Sequence, residues 1–285
     1  MTSTPDDVAA VLRAVSFVLL FQAAGIAIFV VSFGARMSRT LQYVQRLGVV
    51  AALAAIACSS CQYLLEAARM SGDFSGVLDK SLQQLAMYSS SGASFVLRVA
   101  GLVLLALSLR RTFAPRWALI GVLSAAVSFV VTGHTSVHAY HIVLAVTLLS
   151  HVLIGMFWFG ALLPLWVVSL REDHHDAGSI VASFSAAAFW LVPLILLAGV
   201  VMTAILLPGL HTFALPYGQL VILKMALFAA LMLLAAANKW RFGPRIASGL
   251  PAAAAAFRKV LGAEFVLLCA ALTVTACLTM FFSPD

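Results

Sequence analysis

Charge is what this chain has least of: 17 Lys and Arg and 10 Asp and Glu in 285 residues, or 9%. Soluble domains carry about 25% charged residues, so a water-facing surface of ordinary size cannot be covered here. The same shortage excludes a disordered polyelectrolyte. Four cysteines are too few for a disulfide-built secreted scaffold. Also missing are the ten-residue segments of alternating apolar and polar residues that build an outer-membrane barrel. There is no Walker loop, no dinucleotide-binding glycine turn, no His-Glu-x-x-His and no Gly-x-Ser-x-Gly. ATP hydrolysis and acyl transfer therefore lack their usual machinery, and an enzyme is not expected.

What is present is apolar: 63% of residues are hydrophobic, in runs of about 20 that suit membrane-spanning helices. The expected fold is all-α and polytopic, a single domain over 1–285. Eight spans are predicted near 11–33, 46–69, 93–110, 116–133, 138–170, 179–206, 216–238 and 258–282. The first is read as a retained helix rather than a signal peptide. It is long, its leading segment Met1–Asp7 is acidic, and no small-residue cleavage site closes it. The fifth exceeds one bilayer thickness, so it must tilt or project.

Basic residues set the orientation. The loops after spans 1, 3, 5 and 7 hold twelve: Arg36, Arg39, Arg46, Arg110, Arg111, Arg116, Arg171, Lys239, Arg241, Arg245, Arg258 and Lys259. The other side has three: Arg13, Arg69 and Lys80. By the positive-inside rule both termini lie outside the cytoplasm. The net charge of +7 is thus a topology signal rather than a nucleic-acid footprint, and the expected surroundings are membrane lipid. Between spans 2 and 3 an amphipathic stretch (Phe74, Val77, Leu78, Leu82, Leu85) suits the membrane interface.

Polar side chains inside lipid are costly and so mark function. His134, His138 and His141 stand at the outer end of spans 4 and 5, and His211 in the outer loop between spans 6 and 7. His151, ten residues past His141, lies about 15 Å deeper at 1.5 Å per residue. If a helix already begins at His134, then His134, His138 and His141 share a face. Grouped imidazoles suit copper or zinc; the alternative is interfacial histidines bonded to water or headgroups. Cys58 and Cys61, at i and i+3 in span 2, either offer thiolates to Cu(I) or serve as small packing residues. Arg98 and Lys224 fall within spans and need partners. Glu66, at a depth similar to Arg98, is expected to pair with it, and Glu264 is an optional partner for Lys224.

Several segments in order resemble the CopD family of copper-resistance membrane proteins. These are Ser90-Ser91-Gly92 with Arg98; Gly133-His134; His151-Val-Leu-Ile-Gly-Met-Phe-Trp158-Phe-Gly160-Ala-Leu-Leu-Pro164; Tyr217-Gly218-Gln219-Leu220 with Lys224; and Asn238-Lys239-Trp240-Arg241 with Pro244-Arg245. The resemblance implies eight helices in a bacterial inner membrane, copper handling with import toward the cytoplasm, and a periplasmic partner of the CopC type. The chain departs from the family pattern in two places. Arg13-Ala14-Val15-Ser16 stands where a first-helix His is common, and Gly160-Ala161 where a Gly pair is usual.

Two other readings remain open. A b-type haem subunit needs two imidazoles at matched depth on facing helices, which only the outer histidines offer. A scaffold would bind nothing.

Overall fold

In hydrocarbon an apolar segment must satisfy its own backbone, so an isolated run can only be a helix. A computed structural model describes residues 4–110, 113–132, 138–207, 209–242, 245–246 and 251–281, and all regular structure among them is helical. The described α-helices are α1 (Thr4–Phe33), α2 (Leu41–Ser71), α3 (Lys80–Met87), α4 (Ser90–Ser108), α5 (Pro115–Val127), α6 (His141–Arg171), α7 (His174–Leu206), α8 (Pro216–Ala237) and α9 (Pro251–Phe281). Among the described residues, seven helices are long and apolar enough to cross a bilayer: all but α3 and α5. The expected span at 116–133 corresponds to α5, whose 13 residues rise about 20 Å. Ser128–Thr132 continue from it as turns and bends.

Local chemistry sets the helix ends. The Asp79 carboxylate accepts from the Ser81 and Leu82 N–H groups to start α3, and the Ser89 hydroxyl accepts from Ser91 N–H to start α4; both are N-caps. Pro115 and Pro216 open α5 and α8, where a missing N–H costs nothing. Gly72, with φ of 77°, ends α2 in the left-handed conformation that glycine tolerates. The amphipathic stretch folds as a 3-10 turn (Phe74–Leu78) followed by α3, laid against the end of α2.

The hub is α1. Leu20, Ala23, Ala24, Ile26, Ala27 and Phe29 have no exposed surface, because α2, α4, α5, α6 and α9 pack around this helix. Its closest crossing is with α6. A Cβ on Gly25 would overlap the Met156 carbonyl and come within 2.5 Å of Gly160 Cα. Gln22 Nε2 donates to the Gly160 carbonyl at 3.1 Å beside that crossing.

Contacts at the two ends of the bundle fix how the helices line up. At one end Arg13 Nη1 donates to the Thr279 carbonyl (3.0 Å) and Arg69 Nε to Asp6 (2.8 Å). The start of α1, the end of α2 and the end of α9 therefore sit together; we call this the terminal end. At the opposite, basic end, Glu172 after α6 grips the loop before α2. It accepts from Thr40 Oγ1 (2.6 Å), Thr40 N–H (2.9 Å), Arg39 N–H (3.0 Å) and Ser38 Oγ (3.0 Å).

The helix pair α7 and α8 is consecutive in sequence yet barely in contact: α7 packs on α6, and α8 on α9. The space left between them belongs to a large cavity.

Candidate functional site

The cavity has a volume of about 550 Å³ and reaches from the terminal end toward the middle of the helix bundle. Near the terminal end its wall includes Arg13, Glu66, Ser90, Thr132 and Thr279, and further in come His151, Trp158, Lys224 and Phe228. Most of the remaining lining is aromatic or aliphatic, as in sites that bind organic molecules.

His151 projects from α6 into this space, and its Nδ1 lies 3.0 Å from the Ile195 carbonyl of α7. A carbonyl can only accept, so Nδ1 carries the proton and the neutral ring keeps its lone pair on Nε2. A ring N–H held by a backbone carbonyl is the usual way a protein orients a metal-binding imidazole. Met202 of α7 and Met225 of α8 line the same cavity; their thioethers are soft ligands.

The other sequence candidates lie elsewhere. His134 is outside the described residues. His138 precedes α6 rather than belonging to it, so the shared helical face expected for His138 and His141 does not form. The reason is local: His138 Nδ1 accepts the Tyr140 N–H at 3.1 Å, and the helix starts only at His141. His141 Nδ1 lies 3.2 Å from the backbone carbonyl of His138. His141 and His211 are exposed, and neither lines the cavity. On α2 the cavity face is Ser59, Gln62, Tyr63 and Glu66; half-buried Cys58 and exposed Cys61 are off it. Among the described residues no three His, Cys, Asp or Glu side chains converge as a metal cluster. His151 is also the one described imidazole on the cavity wall, so the haem reading finds no facing pair there.

Neither the expected Glu66–Arg98 pair nor the optional Glu264–Lys224 pair forms. Glu66 pairs with Arg13 (3.7 Å) and Arg69 (3.1 Å) instead of Arg98. Arg13 of α1 and Arg69, one turn beyond Glu66, reach it first. Arg98 instead donates from Nε to Ser128 Oγ (3.3 Å), with its guanidinium 4.9 Å from the Phe129 ring centre and 5.9 Å from that of Phe17. Glu264 accepts from Asn238 Nδ2 at 2.7 Å. Asn238 opens a π-helical turn, Asn238–Phe242, that swings its amide toward α9, and Lys224 is left in the cavity.

Sequence reading missed two polar residues of α2 on the cavity wall, Ser59, which bonds to Ser16 of α1 (3.0 Å), and Gln62, and it missed buried Gln22 at the α1–α6 crossing. Uncharged polar residues at helical spacing inside spans 1 and 2 were the available signal.

A membrane-embedded helical bundle with one oriented imidazole in a deep cavity is the class these observations define. The chain matches two family descriptions: copper resistance protein D over residues 178–278, and the N-terminal domain of copper resistance protein D-like proteins over residues 4–140. It belongs to the CopD family, and so to the copper-resistance membrane proteins. The segment between the two matches, 141–177, contains His151. No curated protein and no solved structure matches the chain.

Proposed function

We propose that the protein carries copper inward across the bacterial inner membrane, with His151 as the intramembrane ligand. The observation that carries this reading is the His151 ring, its Nδ1 held by the Ile195 carbonyl so that Nε2 is the nitrogen left for a ligand, in a cavity that reaches from the terminal end into the bundle. Copper is the cargo, captured by the histidines expected on the outer side (His134, His138, His141, His211) and passed inward by ligand exchange. Such a path requires sites that bind but do not trap. Met202 and Met225 suit Cu(I) as further ligands. Cys58 and Cys61, off the cavity, have no part in this path. A periplasmic copper-binding protein of the CopC type is the proposed donor, and the chemistry is binding and release rather than catalysis.

This reading takes the terminal end as periplasmic and the bundle as one eight-span unit. Parity supports the count: α1 begins where α9 ends, as an even number of crossings would give, and α5 is the crossing that would bring the seven long helices to eight. The bond from Ser94 Oγ near the start of α4 to the Ser128 carbonyl after α5 (2.6 Å) supports the same path.

Copper uptake into proteoliposomes of known orientation tests the proposal. His151→Gln should lower uptake at least tenfold while the protein still inserts and melts cooperatively. His175→Gln, at the basic end, should leave uptake unchanged. Full uptake by folded His151→Gln would end the reading.

A further inference from the structure

The cavity wall carries more positive charge than the chain can neutralise. Arg13, Arg98 and Lys224 line it against a single carboxylate, Glu66, which is held by Arg13 and Arg69. Among the described residues Glu66 is the one acidic side chain on the cavity wall, and Glu264 of α9 is bound by Asn238. Lys224 makes no hydrogen bond or ion pair among the described residues. An ammonium offers three donors, and leaving it unpaired in a low-dielectric interior is costly.

Where the cavity opens tells which phase supplies the missing anion. Leu196 of α7 and Met225 of α8 both line the cavity, yet they are 38% and 45% exposed. Both lie well inside their spans, on the two helices that barely touch. An opening between α7 and α8 at this level would face the acyl chains of the bilayer, and the wall behind it is apolar and aromatic, including Trp158 and Phe228. A volume of about 550 Å³ matches one drug-sized or single-chain molecule.

We propose that this cavity binds a single-chain amphipathic carboxylate from the lipid phase, its anionic head against Lys224 and its tail along the aromatic wall. The site does not depend on copper: it follows from uncompensated charge, a lateral mouth and apolar walls.

The test uses purified protein in phosphatidylcholine nanodiscs, with radiolabelled oleate and, as the uncharged control of equal chain length, oleyl alcohol. Oleate should bind saturably, one per chain, and at least tenfold more tightly than the alcohol. Lys224→Gln should bring oleate down to the affinity of the alcohol, and Lys224→Arg should retain most of the difference. Equal binding of the two probes by the wild-type protein would overturn the proposal without any variant, so a misfolded Lys224→Gln leaves it testable. Oleate binding unaffected in folded Lys224→Gln would overturn it as well. Displacement of oleate by phosphatidylglycerol at equal mole fraction would assign the head to a phosphate and overturn the carboxylate.

Discussion

At Glu172 one carboxylate gathers four donors from the loop before α2. Burial alone would raise this carboxyl's pKa, but hydrogen bonds from the Thr40 side chain and N–H, the Arg39 N–H and Ser38 outweigh it and hold the group below its ordinary value of 4.5. A pKa depressed by folding means stability that is present above about 4.5 and lost as pH falls through the lower folded value. Replacing Glu172 with Gln should therefore lower stability at neutral pH by about 1–3 kcal/mol, the usual worth of hydrogen bonds to a charged group. The gap from wild type should close as pH falls from 4.5 through the lower folded value. Thermal unfolding in mild detergent at several pH values reads this directly, and a pH-independent gap would show that shape rather than charge matters there. Sequence alone made the depth of His151 legible, because a count of ten residues from His141 is a distance along a helix. Its partner was not legible. The Ile195 carbonyl is backbone, and a backbone acceptor leaves no mark in a sequence. The Glu66–Arg98 pairing failed for a related reason: depth limits who can meet, but rotation about the helix axis decides who does, and it turned Glu66 toward Arg13 and Arg69.

Elements were easier to read than their ends. Long apolar runs specify helices because nothing else satisfies the backbone in lipid, and seven expected spans stand as long helices. The boundary before α6 was misplaced by three residues, since a turn closed by the His138 ring has no hydropathy signature. The short α5 was hidden as well, because the residues after Val127 are as apolar as those before it. Helix contacts, by contrast, are set by small residues that let backbones approach. The α1–α6 crossing is the tightest of these, so Gly25→Ala must push the two backbones apart. The expected cost is about 1–3 kcal/mol, the range for overpacking a dense core. Gly199→Ala is the matched control, because its Cβ would meet His151 Cε1 at an ordinary 3.8 Å. Melting temperatures should fall clearly for the first and little for the second. Equal behaviour would mean that α1 and α6 can slide without penalty.

For the whole molecule, two independent arguments bear on orientation. Twelve basic residues in one set of loops against three on the other side predict a cytoplasmic basic end. The meeting of α1 and α9 at the terminal end is what an even number of crossings would give, and the two arguments together predict both termini on the opposite side. The short α5 is where this could break. If α5 turned back without crossing, the chain after it would be inverted: the α6–α7 loop with Arg171 would face out, and the α7–α8 turn with His211 would face in. Glu172 argues against such an inversion, since it joins the α6–α7 loop to the loop before α2 at one end of the bundle. Reporter fusions separate the two arrangements. Fusions after His211 should report the periplasm, and fusions after Arg245 the cytoplasm. A further fusion in the loop between α4 and α5, at Arg110, should agree with Arg245. A cytoplasmic signal at His211 together with a cytoplasmic signal at Arg110 would mean that α5 does not cross, and the cavity mouth beside His151 would then open from the other side of the membrane.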